Sequence, residues 1–241
     1  MQEECAIWLK KVVPFWSTIT PLLTEAHGLQ YYEPIVRVFA PNLAKPECQQ
    51  WIALNAQILT PVILTKMMHF VHLCMYERSN MTAHHAVHLY LLARAVNCPK
   101  MAETAIHDLV LAKAEVDDIM SAPKLIGDRS FIDVNEEIEL LLKLVEQNKE
   151  LENIRKSSRE PQPKITLEKS WLNLFDQLEK ARDSTGDLTV LVEDKPYKAH
   201  KFVLAYSCDF FAGCLLSQFK EADKGNFLFF KIIRNFNSLC W

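Results

Sequence analysis

Glycine is scarce, with 5 in 241 residues. Loops that cradle phosphate are built on glycine. Neither GxGxxG nor GxxxxGK followed by Ser or Thr occurs in the chain, so the usual nucleotide sites are excluded at the level of motif. An excess of one charge is missing too: 27 Lys+Arg stand against 30 Asp+Glu, a formal net charge of −3. Such a chain has no electrostatic demand for a polyanion, and neither nucleic acid nor an anionic membrane is an expected partner. Apolar stretches such as Pro61–Leu64, Leu140–Leu142 and Phe227–Phe230 fall far short of the roughly 20 residues that cross a bilayer. Glu3, Glu4, Lys10 and Lys11 interrupt the N-terminal region, which leaves no room there for a secretory apolar core.

Paired cysteine motifs are absent as well. Cys5, Cys48, Cys74, Cys98, Cys208, Cys214 and Cys240 are odd in number and contain no CxxC, a pattern that reads as reduced thiols. Asn80-Met81-Thr82 is a formal glycosylation sequon, but with no export signal it reads as chance. Cytoplasm or nucleus is the expected compartment. What the chain does have is 49% hydrophobic, 24% charged and 10% aromatic residues, the make-up of a globular protein with one or two cores.

Residues 1–56 are aromatic and divided by prolines at 14, 21, 34, 41 and 46, which predicts short helical or irregular pieces. Residues 57–119 predict a helical cluster. Leu64, Met67, Met68, Val71 and Met75 follow helical spacing. Thr82 precedes a helix through Ala86, Leu89, Leu92 and Ala95, and another follows Pro99 through Met101, Ile106 and Leu109. Residues 120–184 predict a helical linker. It holds one long helix from Asn135 to about Ile154, a polar break at 156–164 with Pro161 and Pro163, and a helix from Trp171 to Ala181. The stripe Leu140, Leu144, Leu151, Ile154 suits packing on a neighbouring domain better than a coiled coil, because Gln147 interrupts it. Arg155, Lys156 and Arg159 read as a solvated basic linker.

Past residue 185 the pattern changes. Asp187–Val192 is β-rich, Glu193–Pro196 reads as a four-residue turn, and Tyr197–His200 reads as the returning strand. Two short helices follow, at Lys201–Leu204 and Asp209–Leu216. The run Phe227–Ile233 suits a buried strand. The fold class expected is therefore α+β, mostly helical, with a small β-sheet near the C-terminus.

The stretch from Asp187 to Phe211 resembles the N-terminal half of a BTB/POZ domain: an Asp-led strand, a hairpin, Ala199-His200-Lys201, then Leu204, Ser207 and Phe211 at the family's spacing. The likeness covers about 185–233. More weakly, Thr60–Tyr76, Ala83–Ala95 and Cys98–Leu109 resemble the C-terminal half of the same fold. The chain thus looks like a tandem-BTB protein trimmed at both ends, with the second module spanning 185–241. The apolar faces of Val190, Val192, Val203, Leu204, Phe210 and Phe211 need a helical cover. The expectation is that helices 60–115 supply it, in one permuted core.

The resemblance implies a protein-interaction module that dimerises and recruits a cullin–RING ubiquitin ligase. Its partners would be a cullin scaffold and a BTB dimer partner, with no cofactor. Phe219-Lys220-Glu221 matches the hydrophobic-x-acid motif of the family's cullin contact, set against an ordinary helix-end Phe. The alternative function is a helical docking scaffold with no ligase association. Asp187, His200 and Lys201 read as structural polar groups at the hairpin and helix start, not an acid–base pair. His69/His72 and His84/His88 share helix faces, but no HExxH or CxxC accompanies them, so no metal site is expected. No catalytic constellation stands at a defensible spacing, and no enzyme activity is expected.

Overall fold

The computed structural model describes residues 17–18, 30–73, 76, 78, 81–126, 131–158, 167–192, 195–216 and 227–230. The chain divides into two compact units. One comprises Thr18–Tyr31 and Ile35–Thr166, and the other combines Met1–Ser17 and Tyr32–Pro34 with Leu167–Trp241. A small two-stranded sheet pairs β1 (Ser17–Thr18) with β2 (Gln30–Tyr31).

The first unit is helical. Its described helices are α1 (Glu33–Phe39, most of which belongs here), α2 (Pro46–Leu54), α3 (Pro61–Leu73), α4 (Ala83–Val96), α5 (Pro99–Leu111), α6 (Val116–Met120) and α7 (Val134–Ser158). Prolines start three of them, since a residue without an N–H costs nothing in a first turn. Thr82 caps α4, its Oγ1 accepting the His85 N–H at 3.2 Å. At the far end Asn97 takes a left-handed φ of 59°. Asn tolerates this better than most residues, and the chain turns at once into Pro99 and α5. Ten residues of α4 are buried, on every side of the helix, which marks it as the centre of the unit. The core is built from Leu89, Leu92, Val96, Met101, Ala105 and Leu109.

The segment between α6 and α7 is tied down by side chains. Asn55, only 2% exposed, accepts from the Ile126 N–H at 2.7 Å and donates to the Ile126 carbonyl at 3.2 Å. Trp51 Nε1 donates to the same carbonyl at 2.9 Å. His88 Nε2 donates to the Pro123 carbonyl at 2.9 Å.

On α7 the buried row is not the one expected. Val134, Leu141 and Val145 are buried with Ile138 partly so, whereas Leu140 and Leu151 are 38% and 50% exposed. The buried row has the spacings 4, 3 and 4 and lies on α5, α4 and α6, so it outcompetes the interrupted leucine row. Glu137 anchors the start of the helix, accepting from Tyr90 Oη at 3.1 Å and Arg94 Nε at 2.8 Å.

The second unit contains α8 (Leu167–Lys180), α9 (Arg182–Thr185), β3 (Leu188–Val192), β4 (Lys195–Ala199), α10 (Lys201–Ser207), α11 (Asp209–Leu216) and β5 (Phe227–Phe230). The sheet order is β4-β3-β5. β3 runs antiparallel to β4 and parallel to β5, with Thr189 opposite Phe227. The parallel pair needs a crossover, and α10 and α11 lie within it. Val192 pairs with Lys195, so the connection is two residues long and not the expected four. Pro196 lies in β4, not in a turn. Proline is tolerated there because β4 is an edge strand.

Helices 60–115, expected to share one core with the hairpin, belong to the first unit and the hairpin to the second. Here Leu188 and Val190 are packed with Val192, Ala199, Leu204 and Leu215.

Candidate functional site

The signature residues Asp187, His200 and Lys201 lie in the second unit, at the junction of the hairpin with α10. Asp187, immediately before β3, uses both carboxylate oxygens. Oδ1 accepts from the Lys201 backbone N–H at 2.8 Å, capping the first turn of α10 from 14 residues upstream. Oδ2 accepts from the Tyr32 hydroxyl at 2.9 Å. Both are hydrogen bonds to an ionised acceptor, the stronger kind. Burial and the neighbouring Asp187 carboxylate push the Tyr32 phenol well above its ordinary range, so it remains a donor.

His200, the N-cap residue of α10, is 4% exposed. Its Nε2 lies 3.0 Å from Thr185 Oγ1, a hydroxyl whose own proton goes to the Ala181 carbonyl at 2.8 Å. With that proton committed, the ring is the donor, which assigns the Nε2–H tautomer. Burial pulls the imidazole below its ordinary pKa, partly offset by Asp187 and Glu179. These groups therefore hold the backbone where strand, helix and hairpin meet.

Gly186 sits inside this junction. A Cβ there would stand 2.7 Å from the Arg182 carbonyl oxygen and 3.0 Å from that of Ala199. Both are backbone atoms, so only glycine lets α9 and β4 approach so closely.

An aromatic layer backs the polar one. Phe202, 1% exposed, meets the Tyr32 ring edge-on at 4.9 Å and the Phe175 ring at 6.2 Å. Phe175 also reaches Tyr206 at 5.8 Å. Phe175 is on the face of α8 that also buries Leu174 and Leu178.

The other signature residues separate by role. Leu204 packs into the hairpin core. Ser207 ends α10, its Oγ donating to the Val203 carbonyl at 2.7 Å. Phe211 is half-buried on α11, 5.7 Å from the ring of Phe210, which is 59% exposed. Phe219 and Glu221 lie outside the described residues, as do Asn80, Cys5, Cys74 and Cys240. Sequence reasoning missed Tyr32, Phe175, Thr185 and Gly186. Only Gly186 carried a signal, as one of very few glycines placed directly before a strand.

Among the described residues no three His, Cys, Asp or Glu side chains gather as a metal site, and no described helix is long and apolar enough to cross a membrane. Compared with known families, residues 175–233 match the BTB/POZ domain, a span that starts within α8 and includes the whole sheet. No curated protein and no solved structure matches the chain.

Proposed function

We propose that the BTB/POZ segment at residues 175–233, a protein-interaction module by family, pairs with another BTB domain and couples the chain to a cullin–RING ubiquitin ligase. The observation carrying this reading is the family match itself, within which Phe219-Lys220-Glu221 falls. An aromatic side chain seated in a partner pocket with a carboxylate beside it combines the two ingredients of a small hot spot: a desolvated anchor and an orienting charge. The twice-bonded Asp187 carboxylate and the aromatic layer around Phe202 support the reading by holding the hairpin and α10 in a fixed relation. A docking surface on this unit then forms without ordering its scaffold. Cytoplasm or nucleus is the compartment in which this work is done, and the free thiols of Cys48, Cys98, Cys208 and Cys214 suit a reducing environment.

The helical unit extends the proposal to a tandem arrangement. Tyr76, which matches the Tyr of the family's helix-ending turn, is buried at 9% and donates to Asp108 at 2.6 Å. An anchored tyrosine following α3 supports the reading of a second half-domain.

Capture of a purified cullin by the full chain tests the reading. Phe219→Ala and Glu221→Ala are each expected to lower capture by about ten-fold, the effect of a typical hot-spot truncation. Lys220→Ala is expected to leave it unchanged. Equal capture by all four proteins removes the motif's role, and no capture by the parent chain removes the ligase role and leaves the docking scaffold. Crosslinks between copies that join residues 175–233 read the BTB pairing separately.

A further inference from the structure

The leucine row left uncovered on α7 has a chemistry that selects its partner. Leu140, Leu144, Gln147 and Leu151 lie at spacings of 4, 3 and 4, and Ile154 continues the series in sequence, the a/d pattern of a coiled-coil seam. Leu140 and Leu151 are exposed, Gln147 is exposed and Leu144 is half-buried. The helix is held from its other side by Val134, Leu141 and Val145 and by the bond from Lys149 Nζ to the Ala114 carbonyl. Its conformation is therefore in place before any partner arrives, which removes the nucleation cost of a short helix.

The row is self-complementary when reversed. Laid antiparallel against a copy of itself, Leu140 faces Leu151 and Leu144 faces Gln147, each twice. Lys143 and Glu150 flank the seam on its outer side, both exposed. Reversal brings each opposite the other's unlike charge, twice per pair. Neither is ion-paired with another described side chain. A lone polar residue at a seam position restricts register, and the unlike charges of Lys143 and Glu150 favour the one in which Leu140 and Leu151 meet.

We infer that α7 is a self-association surface: it pairs antiparallel with α7 of a second copy of this chain, in the register that sets Leu140 against Leu151, with Lys143 and Glu150 forming the flanking ion pairs. This surface belongs to the helical unit and is independent of the ligase reading. A chain associating here as well as through a BTB domain would gain avidity from two linked contacts.

The test uses the full chain carrying Gln147→Cys and a short bismaleimide crosslinker, with yields taken over the unsubstituted chain. Covalent dimer is expected from Gln147→Cys and not from Glu146→Cys, which faces away from the seam. Lys143→Glu or Glu150→Lys in the Gln147→Cys background is expected to cut the dimer yield by about ten-fold through like-charge pairs. The double exchange Lys143→Glu with Glu150→Lys is expected to restore it. All of these positions are exposed, so helix content by circular dichroism should be unchanged. Absence of a Gln147→Cys dimer overturns the proposal. Yields insensitive to the charge changes, or a double exchange that fails to rescue, overturn the antiparallel pairing. Dimerisation through the BTB segment alone would leave all these yields at background.

Discussion

Tyr32 donates its phenolic proton to Asp187 across 155 residues of chain, at 2.9 Å, and the same carboxylate caps α10 through the Lys201 N–H. A residue from the aromatic N-terminal region thus completes a network whose other members all lie beyond residue 166. Tyr32→Phe keeps the ring against Phe202 but leaves Asp187 Oδ2 without a donor. A cost of about 1–3 kcal/mol is expected, read as faster amide exchange in β3 and α10. Asp187→Ala, which also uncaps α10, is expected to be worse than Asp187→Asn, because the amide still offers an oxygen to Lys201. Equal exchange rates in Tyr32→Phe and the parent would show that the bond contributes nothing.

Gly186→Ala tests the close approach of α9 to β4. The added methyl meets two carbonyl oxygens of the backbone, which cannot swing aside as a side-chain tip would. A destabilisation on the order of 1–3 kcal/mol is expected, measured by thermal unfolding. A glycine chosen only to loosen the chain would give the opposite sign, since alanine would then stabilise.

In the helical unit, burial pulls His72 down to about 4, partly offset by its bond to the Met68 carbonyl. The folded state therefore resists protonation that the unfolded chain accepts near pH 6.5. Stability is complete above that pH and falls at about 1.4 kcal/mol per pH unit as pH drops from 6.5 toward 4. His72→Leu leaves the Met68 carbonyl in the backbone ladder of α3. It is expected to give a flatter melting temperature between pH 6.5 and 4.5 than the parent. An unchanged slope would assign acid sensitivity to other groups, with His88 next, since it too is held below its ordinary range by burial.

Asn55 clamps Ile126 through both backbone groups. Asn55→Ala removes both bonds in a nearly dry site and is expected to cost about 2–3 kcal/mol, with exchange at the Ile126 amide rising by at least as much as the global change implies. Trp51→Phe, which loses only one donor to the Ile126 carbonyl, is expected to cost less.

What could be read from residues alone was local. The β-rich run Leu188–Val192 became β3. The Thr82 cap and the Pro99 start bounded α4 and α5, because caps and breakers act within a turn. The pairing of Tyr32 with Asp187 has no local period and leaves no trace in spacing. On α7 two leucine-bearing rows competed, and α5 decided between them through Val134, Leu141 and Val145, which no single-helix pattern can settle. Pro196 looked like a turn because proline breaks central strands. Its tolerance depends on β4 being at an edge, a property of the sheet and not of the residue. Of the candidate site, Asp187, His200, Lys201 and Leu204 were legible as a group. The Phe175–Phe202–Tyr32 layer was not, since its members come from three separate stretches.

Pro196 has a consequence beyond its own strand. Val192 and Lys195 close the hairpin as the pair that exchanges ladder bonds, so the proline nitrogen falls on the side of β4 turned from β3. The outward rim of the sheet is missing a donor at its middle, and Lys195 and Lys198 add charge beside the gap. A foreign strand seeking to zip onto this rim finds an incomplete template. The unit is shielded there from open-ended fibre growth, and recognition on this flank must proceed through side chains instead of shared backbone.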